Sequence, residues 1–395
     1  MQIGLLGKAN VGKSTFFSAA TETAVSTGNF PFTTIKPNVG VAHIRTRCAC
    51  SHFDVSHNSP LCRDGTRLVP VKLVDVAGLV PGAHQGKGLG NQFLDDARQA
   101  EALIHVVDIA GTTDIQGQPV PAGSHNPIED IEFVQDEFDQ WFLDILKRDW
   151  DKISREVDQK RAKLADGIAK RFTGLGIEEY AIQDVLQGLD LAAKIPRGWT
   201  ESDLLAFARK LRMQTKPIIT AANKADLCQD LGIIKKIPDP VISCSAETEL
   251  LLRRASKAGI VNYTPGDGEF SVRPEKSLSP QQEKALQLAR NVFSRIPTTG
   301  IQEILDAAVF KILGFFVVYP VEDETRLTNK DGDVLPDAKL VPPGTTAKDL
   351  AVIIHADIAR GFLHAIDCKT RQRVGGDHPL QNGDVIKIVS TMSRG

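Results

Sequence analysis

Residues 7–15, Gly-Lys-Ala-Asn-Val-Gly-Lys-Ser-Thr, set glycines at positions 7 and 12 ahead of a Lys-Ser pair. This is the G-x-x-x-x-G-K-[S/T] spacing, and phosphate chemistry requires it. The glycines let successive backbone N–H groups turn inward, and a helix N-terminus behind the loop adds partial positive charge. Lys13 reaches terminal phosphates and the Ser14 hydroxyl ligates Mg²⁺. The candidate phosphate contacts are Gly7, Asn10, Val11, Gly12, Lys13, Ser14 and Thr15. The apolar run at 3–6 reads as a buried strand delivering this loop, and 16–20 as the helix leaving it.

A second cluster names a base. A strand pattern from 216 ends in Asn223-Lys224-Ala225-Asp226. The Asp226 carboxylate accepts two hydrogen bonds from N1–H and the exocyclic amine of guanine. Adenine offers neither, so a mismatch costs about 1–3 kcal/mol or more. Lys224 packs its stem on the base face, and Asn223 ties the loop to neighbouring backbone. Ser245-Ala246 follows as the last base-contacting loop, with the Ala246 N–H directed at the guanine O6 and Ser245 supporting the turn. These features predict GTP over ATP.

Between these clusters lie two switch-like stretches. In residues 29–38, Asn-Phe-Pro-Phe-Thr-Thr-Ile-Lys-Pro-Asn, Thr34 is preferred over Thr33 as the second Mg²⁺ ligand. The strand at 71–76 runs into Asp75-Val-Ala-Gly78, where Asp75 holds the metal through water and the Gly78 N–H meets the γ-phosphate. Leu79 stands where a water-orienting Gln is common. Hydrolysis is therefore expected to be slow, or another group in the glycine-rich stretch 81–90 positions water, with His84 and Gln85 as candidates. The expected catalytic set is Lys13, Gly78 and His84.

Cys48, Cys50, His52 and Cys62 lie between two strand patterns at 40–46 and 68–76. They form either a tetrahedral Zn²⁺ site at a hairpin tip or a group of surface thiols; the spacing is not that of a standard finger. With no leader expected before Met1, the six cysteines imply a reducing cytoplasm.

The stretch 75–91 together with residues 29–38 resembles the Obg family of GTPases. It is most similar to the YchF-type branch, particularly its archaeal members, which carry an apolar residue where Leu79 stands. The resemblance implies GTP hydrolysis with Mg²⁺ and a ribosome or translation setting. It also implies a K⁺ ligand at Asn10 and a helical or coiled-coil-like insertion. Gly344-Thr-Thr-Ala-Lys-Asp-Leu350 and Asn382-Gly-Asp-Val-Ile-Lys-Ile388 resemble a TGS domain, a module that family members use for RNA or protein contacts.

A chain of 395 residues predicts two to four domains. The expected fold class is α/β, a P-loop NTPase with a doubly wound, mostly parallel sheet. The GTPase domain is expected over 1–127 and 214–314, a helical insertion over 128–213, and a β-grasp module over 315–395. A formal net charge of -2 gives no global basic field, so no DNA partner is expected. No run approaches the roughly 18–20 apolar residues of a membrane span. A basic cluster including Lys160, Arg161 and Lys163 reads as a solvated helix face or an RNA or ribosome contact. The leading expectation is a cytoplasmic GTPase acting as a switch. Alternatives are a nucleotide-gated RNA- or ribosome-binding module with negligible hydrolysis, and an ATP-preferring hydrolase.

Overall fold

The computed structural model describes residues 1–21, 38–57, 59–76, 97–238 and 240–392. The chain forms two compact units, residues 1–42 with 72–304, and residues 43–71 with 305–395.

The first unit begins with β1 (Gln2–Leu6), from which the chain enters α1 (Lys13–Thr21). Strand β2 (Asn38–Arg47) and a short helix α2 (Cys50–Phe53) lead to β3 (Cys62–Arg63) and β4 (Thr66–Asp75). The division between units falls within β2 and β4. After β5 (Ala102–Asp108) come five helices, α3 (Pro127–Lys147), α4 (Trp150–Asp158), α5 (Leu164–Phe172), α6 (Glu179–Gly188) and α7 (Glu201–Thr215). Strands β6 (Ile218–Asn223) and β7 (Val241–Ser243) follow, then α8 (Ala246–Lys257). A small hairpin of β8 (Val261–Asn262) and β9 (Ser271–Val272) precedes α9 (Pro280–Phe293) and α10 (Ile301–Asp306).

The main sheet has strand order β2-β4-β1-β5-β6-β7, with β3 paired to β4. β1 is parallel to both β4 and β5, and β5 to β6 to β7. All seven residues of β5 are buried, as a central strand covered on both faces requires. β2 instead alternates buried and exposed positions, the mark of a strand covered on one face. Parallel order brings the C-terminal ends of β1, β4, β5 and β6 to one edge, where α/β sheets bind ligands.

Helix α3 starts firmly. The Asn126 side chain accepts from the Ile128 N–H, Pro127 occupies the first turn, and Glu129 and Asp130 complement the helix dipole. Helix α7 opens with a reciprocal Thr200–Asp203 capping box. Within the helical insertion expected over 128–213, the first stretch is broken twice, after Lys147 and after Asp158, where Lys160 adopts a left-handed φ of 56°. The five helices share a core that includes Phe142, Phe172, Ile182 and Phe207, and the rings of Trp150 and Trp199 lie 4.8 Å apart. No described helix is long and apolar enough to cross a membrane.

In the second unit, β10 (Phe316–Val321), β11 (Lys339–Val341), α11 (Ala347–Ile354), α12 (Ala356–Arg360), β12 (Phe362–Asp367), β13 (Gln372–Val374) and β14 (Val385–Ser390) form a β-grasp module. Its sheet order is β11-β10-β14-β12-β13, with β10 and β14 parallel and the other pairs antiparallel. Ala347 and Leu350 from α11 pack on Val318, Ala365 and Ile386. Residues 43–71 belong with this module. The fully buried Arg67 donates to the Pro336 carbonyl at 2.6 Å, and its guanidinium lies 6.0 Å from the Tyr319 ring centre. The Tyr319 hydroxyl donates to the Arg47 carbonyl at 3.4 Å.

Candidate functional site

Leaving β1, the chain must turn sharply between β5 and α1. Gly7 has φ 151°, and a Cβ there would lie 2.6 Å from the Val106 carbonyl oxygen. Gly12 has φ 93°, and a Cβ there would collide with Asn223 Nδ2. The Phe16 N–H donates to the Gly12 carbonyl at 2.8 Å, closing the first turn of α1 with Ser14 and Thr15 half-buried at its start. Lys13 Nζ lies 2.6 Å from Asp75 Oδ1, an ion pair whose aspartate side chain has no solvent exposure. Parallel pairing sets Leu5 beside Asp75 and Leu6 beside His105, so Asp75 ends its strand next to the phosphate loop. Asn10 adopts φ 62° and its side-chain amide donates to the Gly117 carbonyl at 2.9 Å.

Asn223 ends β6 and bridges two loops. Its Nδ2 donates to the Val11 carbonyl at 2.9 Å, and its Oδ1 accepts the Ala246 N–H at 3.0 Å. The second bond corrects an expectation: the Ala246 N–H is directed at Asn223 rather than held free for a base oxygen. Ser245 caps α8, its hydroxyl accepting from the Thr248 N–H at 3.4 Å. Lys224 has φ 60°, and its ammonium donates to Asp108 Oδ2 at 2.9 Å and Thr112 Oγ1 at 3.0 Å. Asp226 is half-buried, and its carboxylate has no hydrogen-bond partner among the described residues. Thr33, Thr34, Gly78, Leu79, His84 and Gln85 lie outside the described residues.

One neighbour was not foreseen. Lys8, in a variable position of the phosphate loop, is buried, and its ammonium donates to the Thr113 carbonyl at 3.0 Å. It pairs with Asp130 of α3 at 2.7 Å, and Asp130 also meets His125 Nε2 at 2.9 Å. Burial, with the Lys8 charge second, holds the His105 imidazole down to about 3. No local signal points to this network, because Lys8 and Asp130 lie 122 positions apart.

The cysteine cluster also differs from expectation. Cys48, Cys50 and Cys62 converge with His57, all four ligand atoms lying within 4.8 Å of one another. His52 is not among them. It sits exposed on α2, edge-on to Phe53, and Asp54 then reverses the chain at φ 51° so that His57 returns to Cys48. Burial pushes the Cys48 thiol up to about 12 and raises Cys62, whereas burial and then Arg67 lower His57.

Comparison with known proteins fits this layout. Residues 2–139 match a model of the 50S ribosome-binding GTPase family, and 221–323 match the G4 motif-containing domain of the Obg-like GTPase YGR210-like family. Residues 326–390 match the TGS domain. An uncharacterized GTP-binding protein of Methanocaldococcus jannaschii is 44% identical over 395 residues, covering 98% of each chain. The chain belongs to the Obg-like, YchF-type family of P-loop GTPases. A crystal structure of a GTP-binding protein from Pyrococcus horikoshii matches 99% of this chain and 100% of its own, at 38% identity and a TM-score of 0.77. The Bacillus subtilis ribosome-binding ATPase YchF is 26% identical over 371 residues, covering 92% of this chain and 87% of its own. The phosphate loop, Asp75 and the Asn223 bridge share one edge of a mostly parallel sheet, with a helical region inserted in sequence and a TGS domain over 326–390.

Proposed function

We propose that this chain binds GTP with Mg²⁺ and hydrolyses it slowly to GDP and phosphate, serving as a switch on the ribosome. The carrying observation is Asp226, an acceptor-only carboxylate without a hydrogen-bond partner among the described residues, on the loop that Asn223 ties to Val11. Such a group pairs with the N1–H and 2-amino donors of guanine, both of which adenine lacks. Ser14, Thr34 and Asp75 would hold the Mg²⁺, which neutralises charge developing on the phosphates. Lys13 and the inward N–H groups, Gly78 among them, stabilise the same charge while water attacks the γ-phosphate. His84 is the candidate for orienting that water, and the Asn10 side-chain oxygen is the candidate K⁺ ligand.

Isothermal titration with Mg²⁺ present is expected to give about 5- to 150-fold tighter binding of GTP than ATP, from about 1–3 kcal/mol of discrimination. Asp226→Asn should erase that preference. Equal GTP and ATP affinities in the wild-type chain refute the base assignment. Phosphate release should be faster in K⁺ than in Na⁺; equal turnover removes Asn10 as a cation ligand.

A second reading, a nucleotide-gated binding module with negligible hydrolysis, is favoured by Leu79 in place of a water-orienting Gln. The ribosome setting draws support from the family model over 2–139 and from exposed Lys160, Arg161 and Lys163 between α4 and α5. Reversing those three charges should weaken co-sedimentation with ribosomes; unchanged co-sedimentation removes this surface as the contact.

A further inference from the structure

We propose that Cys48, Cys50, His57 and Cys62 hold one structural Zn²⁺ that pins the β2–β3 connection to the TGS-bearing unit. The geometry is that of a tetrahedral site. Zinc with Zn–S about 2.3 Å and Zn–N about 2.0–2.1 Å demands S···S edges of about 3.8 Å and S···N edges of about 3.6 Å. Here Cys50 Sγ and Cys62 Sγ are 3.9 Å apart, and Cys48 Sγ and His57 Nε2 are 3.5 Å apart. A disulfide would need sulfurs at about 2.05 Å, so the observed separation fits shared ligation rather than a bond.

Backbone groups support charged sulfur. The Cys50 N–H is directed at the Cys48 sulfur, and the Gly65 N–H at that of Cys62. The second contact depends on the Asp64-Gly65 turn, with φ 47° and 77°, which reverses β3 into β4. His57 has no oxygen or nitrogen partner on Nδ1, which is buried. Three thiolates and one imidazole select Zn²⁺ over Mg²⁺ or Ca²⁺, and four protein ligands leave no open position for catalysis.

The local chain needs such an anchor. Helix α2 has four residues, far below the length that is stable alone, and Ser51, His52, Asp54, Ser56 and Pro60 are exposed. The site is wired directly to the C-terminal module. Arg47, next to Cys48, accepts from Tyr319, while Arg67, the cross-strand partner of Cys62, donates to Pro336.

The test uses the full chain, expressed without added metal and desalted. Elemental analysis should find about one zinc per chain, and Co²⁺ exchange should give the visible bands of a tetrahedral thiolate site. His57→Ala should weaken zinc retention in chelator competition by at least about tenfold, since outer-shell changes alone reach that size. His52→Ala should leave retention unchanged, and both variants can be checked for folding by circular dichroism. Stripping the metal from the wild-type chain should speed proteolysis within residues 48–66. Zinc below about a tenth of an equivalent, a Cys50–Cys62 disulfide, or loss of metal in His52→Ala but not in His57→Ala would each overturn the proposal.

Discussion

The Lys8–Asp130 pair offers a sharp test of how the phosphate loop is joined to the helical region. Its side chains are 7% and 5% exposed and 2.7 Å apart. Breaking such a pair from one side leaves an uncompensated buried charge, at a cost of about 3–5 kcal/mol. The two halves should differ. Asp130→Leu leaves the Lys8 ammonium with the Thr113 carbonyl alone and should reach the full range. Lys8→Met leaves Asp130 with His125 Nε2 still at 2.9 Å as a partner, so a smaller loss of about 2–3 kcal/mol is expected. Removing both charges together should cost less than the larger single change, giving a coupling of at least about 2 kcal/mol. The three tryptophans, Trp141, Trp150 and Trp199, all lie in the helical region, so their fluorescence during urea unfolding reads this region and not the TGS-bearing unit. Losses that simply add in the double variant, or singles below about 1 kcal/mol, would refute the assignment of a buried, mutually dependent pair.

Acidification should act through His105. Its native imidazole protonates only near about 3, while the unfolded ring takes up a proton near 6.5. Between those values the unfolded state binds more protons, so stability falls as pH drops below about 6.5, by up to about 1.4 kcal/mol per pH unit. Urea midpoints from pH 7 to 5 should fall less steeply in His105→Gln; parallel slopes would remove His105 as the source. Asn223→Ala should strand the Val11 carbonyl and the Ala246 N–H, about 1–3 kcal/mol each, lowering both stability and GTP affinity. Asn223→Asp keeps an acceptor for Ala246 but loses the donor to Val11, so it should lie between wild type and Asn223→Ala; wild-type affinity there would mean that the Val11 tether does not matter.

What could be read from sequence divides by the range over which the physics acts. The fold class was legible because strands such as β5 are continuous apolar runs and the phosphate-loop residues lie within nine positions of one another. The Asn223 tether was legible as a type of contact, but its partners were not all so, since the Ala246 N–H turned to Asn223 itself. The breaks after Lys147 and Asp158 were invisible because neither site carries glycine or proline, and apolar periodicity reads across them. His52 looked the better ligand because it is two positions from Cys50, yet the left-handed Asp54 brings His57 back instead. The Lys8–Asp130 pair and the Arg67–Pro336 contact join residues 122 and 269 positions apart, where composition and spacing carry no information.

Three lysines at this edge of the sheet meet three aspartates from separate elements: Lys8 with Asp130 of α3, Lys13 with Asp75 of β4, and Lys224 with Asp108 of β5. Two of these pairs have further fixed partners. Asp130 also holds His125, and Asp108 accepts from the Ala110 and Thr112 N–H groups and from the Thr112 and Thr113 hydroxyls. Lys13–Asp75 is the exchangeable one. Among the described residues, Asp75 has no other side-chain partner nearer than the Asn38 amide at 3.5 Å. Lys13 can turn to a phosphate only by giving up Asp75, and a carboxylate with no solvent exposure cannot be left unpaired without a penalty of several kcal/mol. A divalent cation arriving with the phosphates removes that penalty, since each charge then acquires an opposite partner. Under the proposed function, Mg²⁺ arriving with the nucleotide would give both charges an opposite partner, so GTP affinity should fall when the metal is chelated; equal affinity with and without Mg²⁺ would refute this exchange.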